Sequence, residues 1–130
     1  MSDGDRHQAP PSGAGSPEYL RAIELFNAGE YFAAHEAFES LWRGSTGTER
    51  LFYHGLTQAA VALHHLRRGN LRGARAVAER ARTRLAGVPS PFRALDTVDF
   101  VEQLRRFIED PEQAPVPRIR LAVPEPTERT

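Results

Sequence analysis

Apolar residues recur at three- and four-residue spacings along most of the chain, which is the period of amphipathic helices. Tyr19, Ile23 and Phe26, with Leu20 beside them, make the first stripe. Ser16, Pro17 and Glu18 open it with a capping hydroxyl, a residue of preset φ with no amide hydrogen to satisfy, and a favourable N-terminal charge. Gly29, just past Ala28, is suited to the left-handed conformation that ends a helix. A second helix is predicted over about 30–43, with Tyr31, Ala34, Phe38 and Leu41 on one stripe and Phe32, His35, Glu39 and Trp42 on the adjacent one. The third helix opens at Thr48 and Glu49, continues to Arg68 and is apolar nearly all round, a pattern that predicts a central place in a bundle.

Gly69 ends that helix, and Asn70 caps a fourth from Leu71 to about Ala86. Its inward stripe, Leu71, Ala74, Ala78, Ala81 and Leu85, is rich in small residues that permit close packing. After a G-V-P-S-P turn, Asp96 caps a fifth helix through Ile108, with Val98, Val101, Leu104 and Ile108 inward, and Pro111 closes it.

Residues 22–41 and 62–81 align without gaps, matching Ala22 with Ala62, Gly29 with Gly69 and Ala34 with Ala74. An alanine-bearing helix, a Gly turn and a second helix make a pattern like that of tetratricopeptide hairpins, although two copies are too few for a solenoid. The predicted fold is therefore all-α: a compact bundle of about five helices, built from two antiparallel, tetratricopeptide-like hairpins plus a closing C-terminal helix. Residues 16–110 are expected to form the single domain, 1–15 a flexible tail and 111–130 a Pro-rich tail or arm. Within the last, V-P-R-I-R-L-A-V from Val116 to Val123 suits an extended arm, while Pro117 and Pro124 argue against a regular central strand.

A length of 130 residues is enough for one hydrophobic core. The absence of Cys excludes disulfides, thiolate metal sites and cysteine nucleophiles, and fits a reducing compartment. M-S-D-G-D-R-H lacks the pattern of a secretory signal, and no apolar run is long enough to span a bilayer, so a cytoplasmic location and no membrane partner are expected. All 17 basic residues are Arg, balanced by 17 acids. The halves differ, however: residues 16–60 hold six Glu and three Arg, whereas 61–93 hold eight Arg and only Glu79, so the second half is the one suited to attracting an anion.

Two segments carry a family resemblance. Phe26 to Trp42 reads F-N-A-G-E-Y-F-A-A-H-E-A-F-E-S-L-W, and Leu51 to Ala74 reads L-F-Y-H-G-L-T-Q-A-A-V-A-L-H-H-L-R-R-G-N-L-R-G-A. Together they resemble the domain of unknown function 309 family of bacteria and archaea, whose pattern falls on Phe26, Asn27, Gly29, His35, Glu36, Glu39, Trp42, Gly55, Leu56, Gln58, Ala60, His65, Gly69, Asn70, Gly73 and Ala74. Thr57 and Ala59 stand where larger aliphatics are common in the family, and the fifth helix and tails match no part of the pattern. The resemblance implies a small helical bundle and no established activity.

The candidate chemistry lies in H-E-x-x-E, which puts His35 and Glu39 one turn apart with Glu36 beside them, one residue short of the zincin H-E-x-x-H. On the third helix His54, Gln58 and His65 share a stripe. If the second and third helices pack together, these groups, with Trp42 and Asn70, are expected to form a buried polar cluster whose members satisfy one another, Glu39 accepting from His65 or His35 and Trp42 donating its indole hydrogen. That reading makes the protein a non-catalytic binding module for an unknown small molecule or protein. The alternative is a Zn, Fe or Mn site on His35, Glu39 and His65, with Glu36 or Glu39 as general base of a hydrolase. No E-x-x-H pair supports a dinuclear carboxylate site. A third reading gives Arg67, Arg68, Arg72, Arg75, Arg80, Arg82 and Arg84 to nucleic acid or another anion, but they fall on several faces with no interleaved aromatic, so nucleic acid is disfavoured. His64 is expected to face solvent, and Ser40, Ser45 and Ser90 sit in no nucleophile context.

Overall fold

The computed structural model describes residues 16–122, so the N-terminal tail and the last eight residues of the C-terminal segment lie outside the described residues. Five helices follow one another: α1 (Pro17–Asn27), α2 (Tyr31–Arg43), α3 (Gly47–Arg67), α4 (Leu71–Ala86) and α5 (Thr97–Glu109). They form the all-α bundle that the periodicity predicts, with ends within a residue or so of the expected ones. Ser16 caps α1 by accepting from the Tyr19 amide at 3.2 Å, Asn70 caps α4 through the Gly73 amide at 2.9 Å, and Asp96 caps α5 through the Asp99 amide at 2.9 Å.

The turns between α1 and α2 and between α3 and α4 both need a left-handed residue, and Gly29 (φ 82°) and Gly69 (φ 83°) supply it at corresponding places. Each helix packs chiefly on its neighbours in sequence, and α3 lies between α2 and α4. Its all-round apolar surface follows from that place: Phe52, Tyr53, Leu56, Ala59, Ala60, Ala62 and Leu63 are all buried. The core is rich in aromatics, with Tyr19 edge-on to Phe52 and Tyr53, and Phe26 edge-on to Phe100 of α5, which closes the bundle onto α1. Val98, assigned inward from sequence, is exposed, and Phe100 takes the fully buried position, because α5 is rotated to bring Phe100 against Phe26.

At the α3–α4 contact the backbones approach closely. A Cβ placed on Gly55 would lie 2.6 Å from Leu85 Cγ, so only glycine fits opposite that leucine. Ala59, Ala74 and Ala81 are fully buried on the same two helices.

Beyond α5 the chain returns across the bundle in extended form. Ile119 is buried, and the Asn27 side chain holds its backbone from both sides, donating to the carbonyl and accepting from the amide, each at 2.9 Å. Leu121 bridges to Leu95, and the Ala122 amide donates to the Ala94 carbonyl at 2.8 Å. Pro117 is also buried.

Two outcomes test this packing. Gly55→Ala is expected to destabilise by about 1 to 3 kcal/mol in urea denaturation, because overpacking against Leu85 exceeds the helix-propensity gain of about 1 kcal/mol. The double variant Gly55→Ala, Leu85→Ala should then lose less than the sum of the single losses. Asn27→Ala should accelerate hydrogen exchange at the Ile119 amide selectively, leaving the amides of α3 protected; uniform acceleration would show instead that the clamp supports the whole bundle.

Candidate functional site

Antiparallel packing of α2 on α3 decides which of the polar residues meet. The register sets Trp42 on His54 and Phe32 beside His64. Val61 is thereby opposite His35, and His65 lies a turn further toward the Gly69 turn. The one buried cluster expected from the two stripes is consequently divided into three half-exposed groups.

The first is local to α2. His35 Nε2 lies 3.7 Å from Glu39 Oε1, and Glu39 Oε2 accepts from Arg43 at 2.9 Å. The Arg43 hydrogen bond, with the nearby Arg43 and His35 charges, holds the Glu39 carboxyl below the usual carboxylate range against a smaller opposing effect of burial. Such a carboxylate is a poor proton acceptor at neutral pH. Glu36 is exposed. His64 is half-buried against the Phe32 ring, with centroids 5.5 Å apart, rather than in solvent, because the register puts it across from that phenylalanine.

The second group closes the α3–α4 turn: Asn70 Nδ2 is 3.4 Å from His65 Nδ1, while its carbonyl oxygen caps α4. His65 is thus paired within its own turn and not with Glu39. Gly73 belongs to the same device, since a Cβ there would lie 2.4 Å from Asn70 Nδ2.

The third group joins three helices. The Trp42 indole and His54 imidazole are stacked with centroids 4.0 Å apart and planes 13° apart. Arg84 of α4 donates from Nε to His54 Nδ1 at 2.8 Å and from Nη1 to Gln58 Oε1 at 3.1 Å. The Arg50 guanidinium lies over the indole, 5.3 Å from its centroid, and donates to the Trp42 carbonyl at 3.3 Å. The indole nitrogen is buried with no hydrogen-bond partner among the described residues, so it does not donate into the cluster as the sequence suggests. Because a guanidinium Nε–H is always a donor, His54 Nδ1 must be the acceptor, which makes the imidazole neutral with its proton on Nε2. Burial, then the Arg84 and Arg50 charges, keep the His54 pKa below the ordinary histidine value.

Periodicity along α4 assigns Arg84 to a solvated arginine face. A contrary signal is nevertheless present: Arg84 follows Ala81 by three residues and precedes Leu85, both on the inward stripe. The other arginines disperse as well. Arg67 caps the α1–α2 turn, donating to the Gly29 carbonyl and lying 4.8 Å from the Tyr31 ring centroid, while Arg82 pairs with Glu79. On α4 itself Arg72, Arg75 and Arg80 stay exposed, and the acidic Glu79 stands among them. A groove of about 240 Å³ between α4 and α5, floored by Ala78, Val101, Leu104 and Ile108, is lined by none of the predicted site residues except Arg75 and Arg82 of the third reading, and its rim charges Glu79, Arg82, Arg105 and Glu109 are paired with one another.

Among the described residues no three His, Asp or Glu side chains come together as a metal ion would require, and no helix there is long and apolar enough to cross a membrane. Of the suggested ligand set, His35 and Glu39 stay 3.7 Å apart on α2, whereas the helix register places His65 away from them beside Asn70.

His54 should titrate below the ordinary histidine value of 6.5 by NMR, and Arg84→Ala should move the midpoint upward. The unfolded chain then binds more protons than the folded one at and just below that value. Stability is therefore full above it and falls as the pH drops through the folded pKa, and His54→Gln should flatten that fall in urea midpoints.

Comparisons with known proteins agree with this architecture. The family profile Domain of unknown function (DUF309) matches residues 19–77. The crystal structure of a conserved hypothetical protein from Thermus thermophilus superposes with a TM-score of 0.65 at 32% identity, covering 73% of this chain and 99% of that one. An uncharacterized protein of Aquifex aeolicus (strain VF5) is 30% identical over 86 residues, or 65% of this chain. The chain spans only about a quarter, 25%, of that relative's length.

Proposed function

The chain belongs to the domain of unknown function 309 family, and from that premise we propose that it is a non-catalytic binding module whose recognition surface is the Trp42, His54, Gln58 and Arg84 group. The observation that carries this reading is the wiring of the polar residues. Glu39 is committed to Arg43, His54 is locked as a neutral acceptor by Arg84, and His65 is tied to Asn70. Among the described residues the His35–Glu39 pair has its carboxylate held by Arg43, an arrangement that does not favour proton transfer or metal-assisted hydrolysis. What the Trp42, His54, Gln58 and Arg84 group forms instead is a fixed, half-exposed platform of hydrogen-bond donors on three helices.

The tetratricopeptide-like arrangement belongs to the same proposal. Packing of each helix on its sequence neighbour and the matched Gly29 and Gly69 turns support two stacked antiparallel hairpins closed by α5. A site in the cytoplasm suits a chain without cysteine. The partner is a small molecule or another protein. Nucleic acid is disfavoured, because Arg82 is paired with Glu79, Arg84 is turned into the platform, and no aromatic is interleaved with the exposed Arg72, Arg75 and Arg80.

Elemental analysis of chelator-treated protein, re-exposed to Zn, Fe or Mn and desalted, distinguishes this module from a metal-dependent hydrolase. Neither the parent nor a His35→Ala, Glu39→Ala double variant is expected to retain near-stoichiometric metal. Retention by the parent alone would overturn the binding-module reading.

A further inference from the structure

Arg84 is a charged side chain drawn half out of water whose partners, His54 and Gln58, are both neutral. A charge in that setting is costly unless an opposite charge meets it. The acids of the neighbouring elements are engaged elsewhere: Glu39 with Arg43, Glu49 with Arg93, and Glu79 with Arg82. No carboxylate among the described residues lies within ion-pair distance of Arg84 or of Arg50.

The remaining hydrogen-bonding capacity points the same way. Arg84 uses one hydrogen of Nη1 on Gln58 and Nε on His54, which leaves the rest of its terminal fork free. His54 Nε2–H has no acceptor among the described residues, and neither does the buried indole N–H of Trp42. Gln58 presents its oxygen to Arg84, so its amide hydrogens are also available. Arg50, 5.3 Å from the indole centroid, adds a second cation, and its charge contributes to holding the His54 imidazole neutral. The group thus contains donors and positive charge in excess, with His54 Nδ1 and Gln58 Oε1 each already accepting from Arg84. Guanidinium forks recognise planar and tetrahedral oxyanions through paired N–H···O contacts.

We infer that the Arg84, Arg50, His54 and Gln58 group is a binding site for the oxyanion of a small-molecule ligand, a carboxylate or a phosphate, with the Trp42 ring forming one wall. The inference rests on the reading of this face as the recognition surface and names what it recognises. Arg84 supplies the charge and the fork, Gln58 and His54 fix the orientation of that fork, and Arg50 completes the positive field. The α4–α5 groove differs in carrying its own acids, Glu79 and Glu109, which meet Arg82 and Arg105 and leave only the exposed Arg75 without an ion pair among the described residues.

Trp42 is the sole tryptophan, so its emission reports on the site directly. Metal-free protein would be titrated with inorganic phosphate and, separately, with succinate, at an ionic strength held constant with sodium chloride. A saturable change in emission is expected with at least one of the two, and which one saturates at lower concentration assigns the phosphate or the carboxylate. Arg84→Gln should weaken the apparent affinity tenfold or more, Arg84→Lys should weaken it less, and Arg80→Gln, an exposed change on the same helix, should leave it unchanged. Should Arg84→Gln fail to fold, Arg50→Gln replaces it, with a weakening of several-fold expected. A flat or non-saturating response to both anions, or equal affinity in the Arg84 and Arg50 variants and the parent, overturns the oxyanion assignment. That outcome is distinct from metal retention by the parent, which would remove the binding-module reading on which it rests.

Discussion

The approach of α3 and α4 at Gly55 and Leu85 is the constraint on which the rest of this protein depends. With no side chain on Gly55, Leu85 packs against the α3 backbone itself, and that contact admits one register. Arg84, one position before Leu85, is then delivered to His54 and Gln58, which flank Gly55 on α3. A leucine in the core and an arginine at the surface are thus two consequences of one close approach.

Several motif residues have structural reasons that are easy to state. Phe26 is buried, Asn27 clamps the returning arm at Ile119, and Gly29 makes the left-handed turn that receives Arg67. Trp42 stacks on His54, Gly55 accommodates Leu85, and Gln58 orients Arg84. Asn70 and Gly73 form a cap in which the glycine is small because the asparagine side chain lies over it. The same residues therefore shape the bundle and build the platform on its surface. A donor array fixed by its own helix contacts orders few side chains on binding, which lowers the cost of the recognition proposed for it.

Electrostatics separates the charges that meet an opposite partner from the half-buried Arg84, which meets none among the described residues. On α5, Glu102 with Arg105 and Arg106 forms an exposed network whose two arginine hydrogen bonds pull the Glu102 carboxyl down to about 2. Exposed networks of this kind contribute little to stability individually. Deeper in, Glu49 meets Arg93 below the α4–α5 loop, where the Arg93 carbonyl accepts from the buried Tyr19 hydroxyl at 3.2 Å. Burial keeps that hydroxyl far above the usual tyrosine range and hence protonated. Arg84, by comparison, has only neutral partners among the described residues.

Sequence alone determined the helices, their caps and their turns, because each is written in local chemistry: Ser16, Asn70 and Asp96 as caps, Gly29 and Gly69 at left-handed positions, and apolar spacing that assigns α3 to the centre. The family motifs were legible for the same reason. The composition of the site was not. Spacing along one helix gave His35, Glu39 and Trp42 a common stripe, and along another gave His54, Gln58 and His65, but it contains no information on the axial offset between the two helices. Only the tertiary register decided that Trp42 meets His54, that His65 turns to Asn70, and that Arg84, read along α4 as a solvated charge, reaches inward from a third helix. The physical reason is that a cap or a turn is settled over a few residues, whereas an offset between helices is settled by packing between residues distant in the chain, as Gly55 and Leu85 do for α3 and α4.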